Sequence, residues 1–99
     1  MAPIRLYTDP SYGSLGTSRS LTITTAAAQV ITVGSGYHRL TVVNLGPANV
    51  AYGDSSIAMG SGVILFPYST EKWSPVVDGF QVYFRADSVA TILQLHEYP

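Results

Sequence analysis

The chain contains no cysteine, which excludes disulfides, thiolate metal centres and thiol nucleophiles together. Charge is scarce as well. Five Lys/Arg and six Asp/Glu make up 11% of the 99 residues and leave a net charge of −1, whereas a typical soluble domain is about 25% charged. The cations Arg5, Arg19, Arg39, Lys72 and Arg85 stand singly. Binding a nucleic-acid backbone requires clustered cations that release its counterions, so nucleic acid is not an expected partner. No apolar run approaches the ~18 residues of a membrane span, and Val63-Ile64-Leu65-Phe66 stops at Pro67. Met1-Ala2-Pro3-Ile4-Arg5 does not begin the apolar stretch of a signal peptide. The expectation is therefore synthesis in a cytoplasm, with no membrane partner. Helical periodicity is missing too, and Ala26-Ala27-Ala28 is too short to nucleate a helix.

What remains is strand rhythm. Short runs rich in β-branched and aromatic residues fall at 21–25, 29–33, 37–45, 49–52, 62–66, 79–85 and 89–96, near the spacing of sandwiches and barrels. Weaker candidates are 56–59 and Lys72 with Trp73. Gly34-Ser35-Gly36 suits a hairpin, Gly46-Pro47-Ala48-Asn49 a turn, and Ala86-Asp87-Ser88 the closure of a hairpin with 89–96. Alternation is clearest where Phe80, Val82 and Phe84 share a face opposite Gln81, Tyr83 and Arg85. In the last strand both faces are half apolar, as for a strand covered on two sides. The class that follows is all-β: a small antiparallel β-sandwich, with the jelly roll as one arrangement that fits.

Residues 1–20 differ. Pro3, Pro10, Gly13 and Gly16 interrupt a stretch of Ser, Thr and Tyr that has no face to bury. They read as an extended N-terminal arm ahead of a β-sandwich domain at 21–99, with a frayed terminus as the plainer alternative. Leu6, Tyr7, Tyr12 and Leu15 favour the arm, being costly to leave loose in water. A surface short of charge points the same way, towards cover by other subunits and a homo-oligomer.

The candidate chemistry is thin. Gly53-Asp54-Ser55-Ser56 invites comparison with the Gly-Asp-Ser-Leu block of certain hydrolases, but its fourth residue is Ser and turn-forming explains it. His38 and His96 both fall in expected strands, and two histidines do not make a metal site by themselves. Asp9, Asp54, Glu71, Asp78, Asp87 and Glu97 fall mostly at turns or termini, and no glycine run has a phosphate-binding spacing. No catalytic residue, metal or cofactor is expected. Seven of the eleven aromatic residues are Tyr, which suits interfaces and stacking on sugars. Trp73, between Pro67 and Pro75, is the candidate exposed anchor, with a cap on the sandwich core as the alternative.

Three segments share a cadence: Leu40-Thr41-Val42-Val43-Asn44-Leu45-Gly46, then Asn49-Val50-Ala51-Tyr52-Gly53, then Gly60-Ser61-Gly62-Val63-Ile64-Leu65. With the ending Leu93-Gln94-Leu95-His96-Glu97-Tyr98 they resemble small β-sandwich virion proteins of tailed bacteriophages, including capsid decoration (cement) proteins. The resemblance covers roughly residues 21–97 and rests on strand rhythm. It implies a homo-oligomer, often a trimer, that sits on the major capsid protein or another virion protein and stabilises the head, its arm reaching across the shell. A head–tail or tail accessory component shares these features, and a carbohydrate-binding module using Tyr and Trp73 is a further alternative. An enzyme would have only His96, His38 and Asp54 to work with.

Overall fold

The computed structural model describes residues 16–58 and 62–99. It holds eight strands: β1 (Thr17–Ile23), β2 (Gln29–Thr32), β3 (Arg39–Asn44), β4 (Val50–Gly53), β5 (Val63–Leu65), β6 (Thr70–Trp73), β7 (Gln81–Ala86) and β8 (Thr91–Tyr98). They form two four-stranded sheets of order β1-β8-β3-β6 and β2-β7-β4-β5, antiparallel throughout. Pairing β1 with β8, β2 with β7, β3 with β6 and β4 with β5 makes one long hairpin, rolled so that successive pairs fall in opposite sheets. That is the jelly-roll arrangement.

Alternation decides which side chains enter the core. In β7, Val82, Phe84 and Ala86 are buried, while Gln81, Tyr83 and Arg85 point outward. In β8 the buried set is Thr91, Leu93, Leu95 and Glu97. Ile23, Ile31, Val33, Leu40, Val42 and Val50 meet them in a single core, each apolar side chain contributing about 1.5–3 kcal/mol by leaving water.

The chain departs from its sequence pattern at the arm, at two turns and at 56–59. The arm expected over 1–20 gives way to strand at Thr17, because Thr17–Ser20 pair with Glu97–Gln94 of β8. Those four residues are exposed, so no amphipathic alternation marks them. The arm residues Leu6, Tyr7, Tyr12 and Leu15 lie outside the described residues. The Gly34-Ser35-Gly36 and Ala86-Asp87-Ser88 turns close no hairpins, since β2 and β3, and likewise β7 and β8, belong to different sheets. Lys72 and Trp73, the other weaker strand candidate, do fall in a strand, β6. In 56–59, the described residues follow a turn closed by Ile57 N–H donating to Asp54 O at 3.2 Å.

Gly16 shows why the chain must lack a side chain where it enters β1. Its φ is +85°, and a Cβ there would lie 2.0 Å from the Glu97 carbonyl oxygen and 2.7 Å from Tyr98 Cβ. Only glycine passes that close to a neighbouring strand.

Candidate functional site

Sheet β1-β8-β3-β6 ends differently at its two extremities. At one, Asn44 at the end of β3 is fully buried. Its side-chain N–H groups donate to Ala48 O at 2.8 Å and Leu65 O at 2.9 Å, and its Oδ1 accepts from Gly46 N at 2.7 Å. Its backbone N–H donates to Ser69 O at 3.0 Å, and its carbonyl accepts from Tyr68 N–H at 2.5 Å. Through its side chain and backbone together, this one residue fixes the β3–β4 loop, with its cis Gly46–Pro47 bond, to β5 and the β5–β6 turn. Thr91 joins the β7–β8 loop to it, accepting from Ala48 N at 3.2 Å and donating to Val89 O at 3.1 Å.

These bonds hold an apolar row on the outer face of the sheet. Ile92 and Leu45 lie side by side, Leu45 N–H donating to Ile92 O at 2.9 Å and Ile92 N–H to Gly46 O at 3.1 Å. The Tyr68 hydroxyl lies 3.8 Å from where a side chain on Gly46 would begin. Tyr68 has φ +66°, a left-handed conformation that non-glycine residues seldom adopt. Ile92 is 45% exposed, Leu45 44% and Tyr68 78%. Phe66 and Val89, both exposed, sit in the adjoining loops.

At the other end the buried polar residue is an acid. Glu97 Oε2 accepts from Gly34 N at 2.9 Å, and its Oε1 pairs with Arg19 at 3.0 Å. Arg39 lies 4.5 Å over the Tyr98 ring and donates to Pro99 O at 2.6 Å. Between the ends, the outer face is lined by Ser18 against His96 Nδ1 at 2.5 Å and Ser20 donating to Gln94 at 3.0 Å.

Four aromatic rings gather against the aliphatic core between the sheets. Trp73 meets Tyr52 edge-on at 5.2 Å and approaches Phe80 and Phe84 at 6.3 and 6.4 Å. It is half-buried on the core, in a strand rather than a loop, and its place is the core-cap alternative. Tyr52 donates to Glu71 Oε2 at 2.6 Å; burial first, then Glu71, pushes its phenol from 10.0 up to about 12. No pocket opens among the described residues, nor do three or more His, Asp or Glu gather there to hold a metal.

The three residues singled out for chemistry have separate partners. His38 faces Asp78 at 3.4 Å, His96 faces Ser18, and Asp54 accepts from the Ser56 hydroxyl and backbone. Those Ser56 bonds hold the Asp54 carboxyl below its usual range, as in a closed turn. The apolar row had one visible signal, the run Phe66-Pro67-Tyr68, where aromatic residues occupy a turn that solubility alone would fill with polar ones.

No family model matches this chain, and no curated protein matches it. Among solved structures it is similar to the solution NMR structure of a de novo designed double-stranded β-helix. The identity is 17% and the TM-score 0.59, over 82% of this chain and 97% of that one. The likeness is one of fold: two antiparallel sheets rolled on each other.

Proposed function

We propose that this chain is a structural virion protein that oligomerises and binds the capsid surface, stabilising the head. The observation that carries this reading is the exposed apolar row of Ile92, Leu45 and Tyr68, set on a rigid polar hub. Large apolar residues clustered on a surface mark contacts with other proteins, and the low charge of the chain agrees with a surface largely covered in an assembly. The resemblance to phage decoration proteins supplies the kind of assembly. The copies would form a homo-oligomer, a trimer in that family's pattern, against the major capsid protein.

Purified chain mixed with expanded heads tests this: it should co-sediment with them and raise their rupture temperature. Absence of binding to heads that lack the protein overturns the reading. Binding only to tails or connectors would move the chain to a head–tail or tail accessory role. The carbohydrate-binding alternative loses its main support, because Trp73 lies against Tyr52, Phe80 and Phe84.

A further inference from the structure

We infer that the apolar row formed by Ile92, Leu45 and Tyr68, flanked by Phe66 and Val89, is the seat for residues 1–15 of a second copy of this chain. The inference rests on the oligomeric part of the reading above and adds which surfaces meet.

The first ground is what the arm carries. Residues 1–15 hold Ile4, Leu6, Tyr7, Tyr12 and Leu15, while Arg5 and Asp9 cancel in charge. Such a segment gains by burying its apolar side chains and brings no net side-chain charge to desolvate. The row is likewise apolar, and the Asn44 bonds hold its backbone in place, so little of the entropic cost of docking falls on the row.

The second ground is position. β1 runs from Thr17, opposite Glu97, to Ile23, opposite Thr91. The row lies by Thr91 and Ile92, at the far end of β1 from where residues 1–15 join it. Continued backward, β1 leads away from its own row. Fifteen residues reach about 50 Å when extended, more than twice the roughly 20 Å length of β1, so a neighbouring copy is within range. A return along the molecule's own β1 edge as a regular strand is opposed by Pro3 and Pro10, which lack the N–H a ladder uses. The contact is therefore arm on row between copies, which closes either as a two-fold pair that exchange arms or, where the rotation permits, as a ring.

Complementation between two full-length variants tests this. One carries Leu6→Ser with Tyr7→Ser and keeps its row; the other carries Leu45→Ser with Tyr68→Ser and keeps its arm. Light scattering should find wild type oligomeric and each variant shifted to monomer, its dissociation constant raised about tenfold or more. An equimolar mixture of the two variants should regain a two-copy species, because one intact arm and one intact row remain. Unchanged far-UV circular dichroism and cooperative melting confirm that both variants are folded. The inference is overturned if either variant assembles like wild type, or if the mixture stays monomeric. It is equally overturned if wild type is monomeric while the arm substitutions shift the amide resonances of Leu45 and Ile92, the sign of an arm on its own row. Head binding, measured on the same samples, separates the two ideas. Assembly through arm and row without head binding removes only the virion role, and head binding with arm-independent assembly removes only this contact.

Discussion

The two ends of sheet β1-β8-β3-β6 solve one problem with opposite chemistry. Each places a polar residue in the buried row, Asn44 at one end and Glu97 at the other. Asn44 is neutral and makes all its side-chain bonds to backbone atoms, so it joins loops without depending on charge. Glu97 takes one backbone N–H and one guanidinium, and Arg19 is half in solvent, its side chain 52% exposed. The neutral end carries the apolar row and the charged end the polar surface around Arg39 and Tyr98. A hub that needs no counter-charge allows the surface above it to remain apolar.

Four measurements break or sharpen that contrast. The largest effect should come from Asn44→Ala, which strands Gly46 N–H and two carbonyls; urea unfolding should show a loss of about 3–5 kcal/mol. A loss below about 1 kcal/mol would mean that the loops hold without their hub. Glu97→Ala should lose less, about 2–3 kcal/mol, chiefly by leaving Gly34 N–H without its acceptor. The share due to Arg19 should be under about 1 kcal/mol and shrink in molar salt, whereas the Asn44→Ala loss should not change with salt.

Tyr52→Phe comes next, at about 1–2 kcal/mol for the bond to Glu71. It also carries a pH signature. The Tyr52 phenol is raised to about 12 in the fold against an ordinary 10.0, so the unfolded chain releases this proton first. Its contribution is complete below pH 10 and is lost as pH climbs towards 12. Alkaline unfolding of wild type and Tyr52→Phe, followed by circular dichroism, should therefore converge across that window. Parallel curves would show that the phenol is not held by burial and Glu71. The smallest effect belongs to Ser18→Ala on the exposed face, within about 0.5 kcal/mol in the same urea assay.

Much of the sheet was legible in the sequence, and the reason is local. Period-2 alternation in Phe80–Phe84 and the β-branched runs around Val42 and Val50 are imposed by one-sided burial, and that signal needs no partner. β1 escaped at its start because Thr17, Ser18, Arg19 and Ser20 are exposed, and they are strand only because β8 offers its edge. The two hairpin expectations failed for a related reason. Glycine or Asp-Ser at a bend tells the chain to turn, but not whether the next strand joins the same sheet. In this fold β4 and β5 alone, among consecutive described strands, pair with each other. Trp73 was ambiguous because an aromatic in a stretch flanked by prolines reads alike as anchor or cap, and only Tyr52, Phe80 and Phe84 arriving from elsewhere decide between them. The apolar row was hidden in residues that read as punctuation. Leu45 borders a glycine and Tyr68 a proline, and their neighbourhood exists only once β3, β6 and β8 are side by side.

The place of β1 has a mechanical meaning. The strand holds β8 along seven registers, from Thr17–Glu97 to Ile23–Thr91, and lies at the rim of its sheet. Tension on the chain ahead of Gly16 pulls along the strand axis, and antiparallel ladder bonds lie across that axis. The bonds are then loaded together in shear instead of opening one after another from an end. A segment tied to a neighbour through such a strand would slip only when the whole ladder yields, so the strand with the least sequence signature would be the one to carry the load.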